Sequence, residues 1–220
     1  MRTELTIVAS ADRSPRITSS GGLSGRLTGP DTVHMIGTAA TPLGGDTMII
    51  DVVVGAGARL CVRSVAATLA LPSAVRRDSS SQWTFHVEDG GSLIFDPQPM
   101  IVASDAIHHS VTTLEFAASA TIAFSERVQI GRAGEDAGRW CGTTNADIEG
   151  RPHLRHRVEL GTGSVGHDVL SAPMALSSTL TYPDEREPAT GRASVRMPLA
   201  LGGSLSTSTG ARLDALAWQS

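Results

Sequence analysis

Hydrophobic and polar positions in this chain alternate with the strand period of two rather than with the helical period. Trp83, Phe85 and Val87 alternate with Thr84, His86 and Glu88, which sets three large apolar groups on one face of a strand. Leu114, Phe116, Ala118, Ala120, Ile122 and Phe124 continue the rhythm, and Val128 and Ile130 keep its parity. Met48 to Val54 is a near-continuous apolar run broken by Asp51, which predicts a strand buried on both faces. Helix signals are few. The Ala-rich stretch Ser64 to Leu71, closed by Pro72, predicts a turn or two of helix, and Ala211 to Trp218 predicts a short terminal one.

A unit of strand, small-residue turn and strand recurs. Val52 to Val54 leads through Gly55, Ala56, Gly57 and Ala58 to Leu60 and Val62, and Phe85 to Val87 leads through Gly90, Gly91 and Ser92 to Leu93 and Phe95. Leu114 to Phe116 leads through Ala117 to Ala120 to Ile122 and Phe124; Val158 to Leu160 leads through Gly161, Gly163 and Ser164 to Val165; Leu199 to Leu201 leads through Gly202, Gly203 and Ser204 to Leu205. Ordinary hairpins in a sandwich or barrel would produce this pattern, and the irregular spacing favours them. Stacked corners of a β-solenoid, where small residues let layers pack closely, are the sharper alternative. Ala11 to Asp31 and Tyr182 to Arg192 read as loops, from their Ser, Gly, Thr and Pro content and from their Pro and charge content respectively. Neither divides the chain into halves of different composition, so residues 1–220 are expected to form one domain.

Composition narrows the function. Apolar residues make up 40% of the 220, enough to bury a core, and aromatics are only 4%, so Val, Leu, Ile and Ala must fill most of it. A formal net charge of −4 lacks the basic footprint of a nucleic-acid binder. There is no lysine, and all 18 basic residues are arginine, which reads as compositional bias of the source genome. Met1 to Ala11 lacks the apolar stretch of a secretory signal, and no segment approaches the ~20 apolar residues of a membrane helix. Two isolated cysteines, Cys61 and Cys141, form no disulfide framework, so a reducing, cytoplasmic setting is expected.

No catalytic constellation emerges: there is no Gly-x-Ser-x-Gly elbow and no P-loop. Gly161 to Gly166 matches Gly-x-Gly-x-x-Gly by letters, but no helix pattern follows and Pro173 lies close behind, so it reads as a turn. His108 and His109 would face opposite sides of a strand, while Pro152 and the Val158-Glu159-Leu160 strand deny His153 and His156 a helix. A tight structural metal site is therefore not predicted. Carboxylates suit a hydrated divalent cation in transit better, since oxygen donors can release it. Asp46 lies between a Gly-Gly turn and a strand, Asp51 interrupts that strand, Glu126 and Glu135 flank the Gly131-Arg132 turn, and Asp147 follows Asn145 and Ala146. For Asp46, capping of backbone N–H groups is the simpler role.

Four blocks, in order, resemble the UreD (UreH) family of urease accessory proteins. Pro42-Leu43-Gly44-Gly45-Asp46, with Thr47 to Val54 and Gly57-Ala58-Arg59-Leu60, is similar to the family's Gly-Gly-Asp segment and strand pair. Ala66-Ala67-Thr68 resembles the centre of its Thr-Thr-Gln-Ala-Ala-Thr-Lys stretch, with Ser64-Val65 and Leu69-Ala70 departing from it. Asp96-Pro97-Gln98-Pro99-Met100 resembles its Leu-Pro-Gln-Pro-x block, with Asp96 where leucine is usual, and Gly131-Arg132-Ala133-Gly134-Glu135 resembles its Gly-Arg-x-x-Gly-Glu element with altered spacing. The likeness runs from about Gly21 to Leu170.

This resemblance implies an all-β, layered solenoid-like stack with one or two short helices, and so revives the solenoid alternative. It implies a non-enzyme that docks on urease apoprotein, scaffolds UreF and the GTPase UreG, and passes Ni2+ to the active site without holding a cofactor tightly. A homodimer within the accessory complex stays open; nucleic acid and membrane are not implied as partners. Asp46 and Glu135 are the acidic positions carried over inside matched motifs, and Glu126 and Asp147 are adjacent candidates for the nickel path. The competing readings are a β-solenoid carbohydrate-active hydrolase, which needs paired carboxylates across a groove, and a β-rich interaction module unrelated to urease.

Overall fold

Alternation becomes strand throughout the computed structural model, which describes residues 1–165, 167 and 171–216. The chain opens with β1 (Arg2–Ser10), β2 (Arg13–Ser20), β3 (Leu23–Leu27) and β4 (Thr32–Gly37). Three coils follow. β5 (Thr47–Val54), β6 (Arg59–Ser64) and β7 (Thr68–Ala70) make the first, and β8 (Asp78–Val87), β9 (Ser92–Asp96) and β10 (Met100–Val102) the second. β11 (Ile107–Phe116) and β12 (Thr121–Ile130) make the third. β13 (Arg139–Ile148) and β14 (Arg151–Leu160) form a hairpin, and β15 (Ala175–Tyr182), β16 (Ala189–Thr190), β17 (Ser194–Pro198) and β18 (Ser204–Gly210) complete the chain.

Parallel pairing decides between hairpins and coils. β1, β5, β8, β11 and β13 lie side by side and parallel in one sheet, and β4, β6, β9 and β12 do so in the other. Parallel neighbours need a crossover rather than a tight turn, so the chain winds as a β-solenoid with coils of about 30 residues. Antiparallel strands close both ends: β2 and β3 at one, and β14, β15, β18 and β17 at the other. They cover sheet edges that would otherwise recruit other chains.

Three of the five repeat units are coil corners, each closed by the same turn: Ala58 N–H to the Gly55 carbonyl, Gly91 to Glu88, and Ala120 to Ala117. Gly57 and Gly90 occupy equivalent corner positions with φ of 65° and 64°, a conformation open to glycine at little cost. The unit at Leu199 is instead an antiparallel β17–β18 hairpin, and the unit at Val158 ends in a turn after β14. Gly161 and Gly163 carry positive φ there, as the turn reading requires, while Gly166 lies outside the described residues.

Four expectations change. Met48 to Val54 is fully buried on one face only, through Met48, Ile50, Val52 and Val54; Ile49, Asp51 and Val53 lie half-buried on the outer face. Ser64 to Leu71 is strand, turn and strand, because Thr68 to Ala70 pairs with Met100 to Val102 and this pairing overrides alanine's helix preference. Ala11 to Asp31 contains β2 and β3, whose outward polar residues suit an end cap and whose Ile17 and Leu23 alone turn toward the core. At Ala211 to Trp218 the described part holds one 3₁₀ turn, Leu213–Ala215, and residues 217 and 218 lie outside the description. No helix is long and apolar enough to cross a membrane among the described residues.

Between the sheets, Phe85, Phe95 and Phe124 interlock, with Phe85 and Phe124 edge-on at 5.1 Å and Phe95 and Phe124 stacked at 4.9 Å. A second cluster gathers Trp140, Ile130, Leu160 and Leu176. Trp140 is buried because Gly142 leaves room for it: a Cβ at Gly142 would stand 2.0 Å from the indole ring. Gly142→Ala should therefore cost about 1–3 kcal/mol through overpacking. Urea denaturation of the two proteins measures it, and an unchanged midpoint would contradict this packing.

Candidate functional site

Each inward slot of the solenoid stacks on the same slot of the next coil, so rows of side chains run along the axis. One row of the seven-stranded sheet reads Ile50, Trp83, Thr112, Thr144 and His156 in register. Its neighbour reads Val52, Phe85, Leu114, Ala146 and Leu154 and stays apolar. The first row thus turns polar toward the C-terminal end while the second seals its flank.

The facing sheet contributes Glu126. On β12 the inward positions are Ile122, Phe124, Glu126, Val128 and Ile130, so a carboxylate fills a slot that apolar groups fill on either side. Across the sheet Glu126 pairs in register with Ser178, which pairs with Thr207, their hydroxyls 3.3 Å apart. The wall is also open here. β12 joins β9 through Thr121 to Phe124 and β10 through Val128 to Ile130, leaving residues 125–127 without a strand on that edge. The break follows from Pro97 and Pro99, which lack the N–H a continuous ladder needs. Between them the Gln98 N–H goes to Ser64 Oγ at 2.8 Å.

Two cavities meet at Glu126. The larger, about 60 Å³, opens at the break and reaches Ser81, Ser110 and Thr112 on the opposite sheet. The smaller, about 10 Å³, lies between Glu126, Thr144, His156 and Ser178. Glu126 is half-buried; its carboxylate borders these spaces and makes no hydrogen bond or ion pair to a described residue. Burial pushes its pKa up to about 7 and pushes that of His156 down. His108, buried beside the larger cavity's serines, falls to about 4 through burial and the nearby His109. Its ring bonds Ser79 at 2.9 Å and Ser81 at 3.1 Å.

The four carboxylates carried over as nickel-path candidates are dispersed. Asp46 is buried and caps the Gly44-Gly45 turn: its Oδ2 accepts from Leu43 N–H at 2.9 Å and Thr41 Oγ1 at 3.1 Å, and Oδ1 meets the Met1 ammonium. Burial would raise its pKa, but these bonds outweigh it and the net shift is downward. Glu135 closes its own turn, accepting from the Arg132 and Ser104 N–H groups at 3.0 Å each and pairing with the Arg132 guanidinium. Arg132 and these backbone groups hold it down at about 2. Asp147 lies on the outer face of β13, 2.6 Å from Arg155. Glu126 alone of the four faces the interior cavities. No group of three or more His, Cys, Asp or Glu is arranged to hold a metal among the described residues. Thr112, Thr144 and Ser178 escaped the sequence reading, and His156 was set aside there for want of a helix, although each is a polar residue in an inward slot of an alternating strand.

The buried groups predict a pH dependence. Glu126, raised in the fold, favours folding below about 4.5 and loses that contribution as pH rises through about 7. His108, depressed in the fold, stabilises above about 6.5 and loses that contribution as pH falls through about 4. Between these limits the two slopes oppose each other. Glu126→Gln should leave the His108 slope exposed, so stability rises from pH 4.5 to 7 and exceeds the parent's by on the order of 2 kcal/mol at pH 8. Denaturation series at several pH values measure this; parallel profiles would refute the buried carboxylate.

The chain is similar to one family and to its curated relatives. The family described as UreD urease accessory protein matches residues 25–191. "Urease accessory protein UreD 1" of Saccharopolyspora erythraea is 33% identical over 194 residues, covering 86% of this chain and 76% of the relative. Urease accessory protein UreD of Frankia alni is 42% identical over 119 residues, covering 54% of this chain and 40% of the relative. Urease accessory protein UreD of Streptomyces avermitilis is 33% identical over 166 residues, covering 73% and 66%. The chain therefore spans from two fifths to three quarters of these relatives' lengths.

Proposed function

The chain belongs to the UreD family of urease accessory proteins, and from that premise we propose that it is a non-catalytic assembly factor that passes nickel to urease through the cavities at Glu126. It docks on urease apoprotein and scaffolds UreF and the nickel-carrying GTPase UreG, in the cytoplasm. Nickel is cargo here, held briefly. The observation that carries this reading is a carboxylate, without a bond to any described residue, that borders two interior cavities lined by apolar side chains and hydroxyls.

A transit site must bind weakly enough to release. Glu126 offers one anionic oxygen donor, Thr112, Thr144 and Ser178 offer hydroxyls, and His156, kept neutral by burial, offers an imidazole. These donors are spread along the path rather than converged on one point, which suits a partly hydrated ion handed onward. The apolar row beside them discourages side exits. Glycoside hydrolysis would need two carboxylates facing each other; among the described residues lining the two cavities, Glu126 is the one carboxylate.

The experiment replaces the chain by variants in a host carrying the remaining urease genes, then measures urease nickel content and variant stability. Glu126→Gln should lower nickel content roughly tenfold while raising the variant's own stability at neutral pH. Asp46→Ala and Glu135→Ala should lower stability by about 1–3 kcal/mol, because they strip caps from backbone N–H groups, with nickel loading falling in proportion to soluble protein. Full loading with Glu126→Gln would sink the passage; a specific loading defect in fully stable Asp46→Ala would relocate it.

A further inference from the structure

The larger cavity opens to solvent beside an ion pair whose geometry resembles a coordination site filled by a side chain. Arg127 follows Glu126 on β12, so the two point to opposite faces of the same break in the wall. A single atom, Arg127 Nη2, lies 2.5 Å from Asp96 Oδ1 and 2.6 Å from the Pro97 carbonyl oxygen. Carboxylate and peptide carbonyl are the donors that hard divalent cations take, at about 2.0–2.6 Å. The two oxygens thus already converge on one cationic centre, at hydrogen-bond distance, and would have to draw in by about 0.5 Å to hold a small divalent ion. Asp96 and Arg127 are about one-third exposed, 36% and 31%, so an ion from solvent can reach them. Arg63, exposed and opposite Asp96 on β6, adds a second positive charge nearby. Without Asp96 the mouth would carry two guanidinium groups and repel a cation.

We infer that Asp96, Arg127 and the Pro97 carbonyl form a charge-exchange gate, in which an incoming divalent cation displaces the Arg127 guanidinium from the two oxygens before moving inward to Glu126. This rests on the nickel-passage reading and assigns the mouth it lacks. While the guanidinium is seated, its positive charge guards the mouth and the two oxygens are satisfied. When a cation takes them, the guanidinium swings to solvent and no bond is made or broken beyond hydrogen bonds and coordination. The exchange keeps binding weak, because the arriving ion must compete with a tethered one, and weak binding is what onward transfer needs.

The test titrates nickel in a host carrying the other urease genes, with urease nickel content as readout, for Asp96→Asn, Arg127→Gln, the double variant and Glu126→Gln. Nickel alone is also titrated onto the purified chain, in complex with its co-purifying partners, by equilibrium dialysis. Asp96→Asn should raise the nickel concentration for half-maximal loading about tenfold. Arg127→Gln should move it the opposite way and tighten nickel binding in dialysis, and the double variant should lose that gain. Arg127→Lys keeps the charge and serves if the glutamine variant is insoluble; its half-loading concentration should stay within about twofold of the parent's. Shifts in the same direction for Asp96→Asn and Arg127→Gln, or identical nickel binding by parent and Arg127→Gln, would overturn the gate and leave a mere structural clasp. Should that happen while Glu126→Gln still blocks loading, passage stands without this gate; full loading with Glu126→Gln overturns passage itself, and with it the gate.

Discussion

In-register parallel stacking is the constraint from which the rest follows. Once Thr47 pairs with Ser80, Ser80 with His109 and His109 with Cys141, every second residue of each strand is committed to the same interior row. A slip of one residue would turn Phe85 and Leu114 to solvent and His86 and Glu115 into the core. The corners enforce the register between coils. Glu88 reaches back to the Ala56 N–H at 2.9 Å, Ser119 accepts from the Gly90 N–H at 2.9 Å, and Glu149 reaches the Ala118 N–H. These side chains, two acidic and one a serine, serve the turns of the coil beside them.

Much of this was legible in the alternation. Trp83, Phe85 and Val87 share a face, Leu114 and Phe116 share another, and Ile122, Phe124, Val128 and Ile130 keep one parity along β12. Alternation cannot say which strand lies next to which, so corner and hairpin looked alike until pairing was known. Short or polar strands were also hidden. Thr68 to Ala70 is held by β10 rather than by its own preference, and Arg13 to Ser20 carries almost no inward apolar signal.

The interior site was legible in one residue and obscure in the rest, for a physical reason. Glu126 stands out as a charge, whereas Thr112, Thr144 and Ser178 are ordinary strand residues whose importance comes from sharing the space around it. Asp46 and Glu135 sit in recognisable motifs because turns with glycine need a carboxylate to cap them. Their motif signal reports backbone geometry, as the bonds to Leu43, Ser104 and Arg132 make plain.

Where the polar row begins also has a cause. β12 and β13 each pair parallel on one side and antiparallel on the other, so they form the seam between coil and cap. Inside the coils, aromatic rings from successive layers interlock. At the seam the cap sets Ser178, Thr207 and His156 opposite Glu126 and Thr144 in the registered rows. A carboxylate set there is costly, since burial raises its pKa and the surrounding hydroxyls only partly replace water. The apolar stack on one side and the closing sheet on the other supply the stability that tolerates it. Under the proposed passage, a site that must attract a divalent ion without keeping it would gain from that strain: a carboxylate poorly satisfied by the fold would bind the cation when it arrives, and neighbours spaced along the row, rather than around it, would give the cation a way to leave.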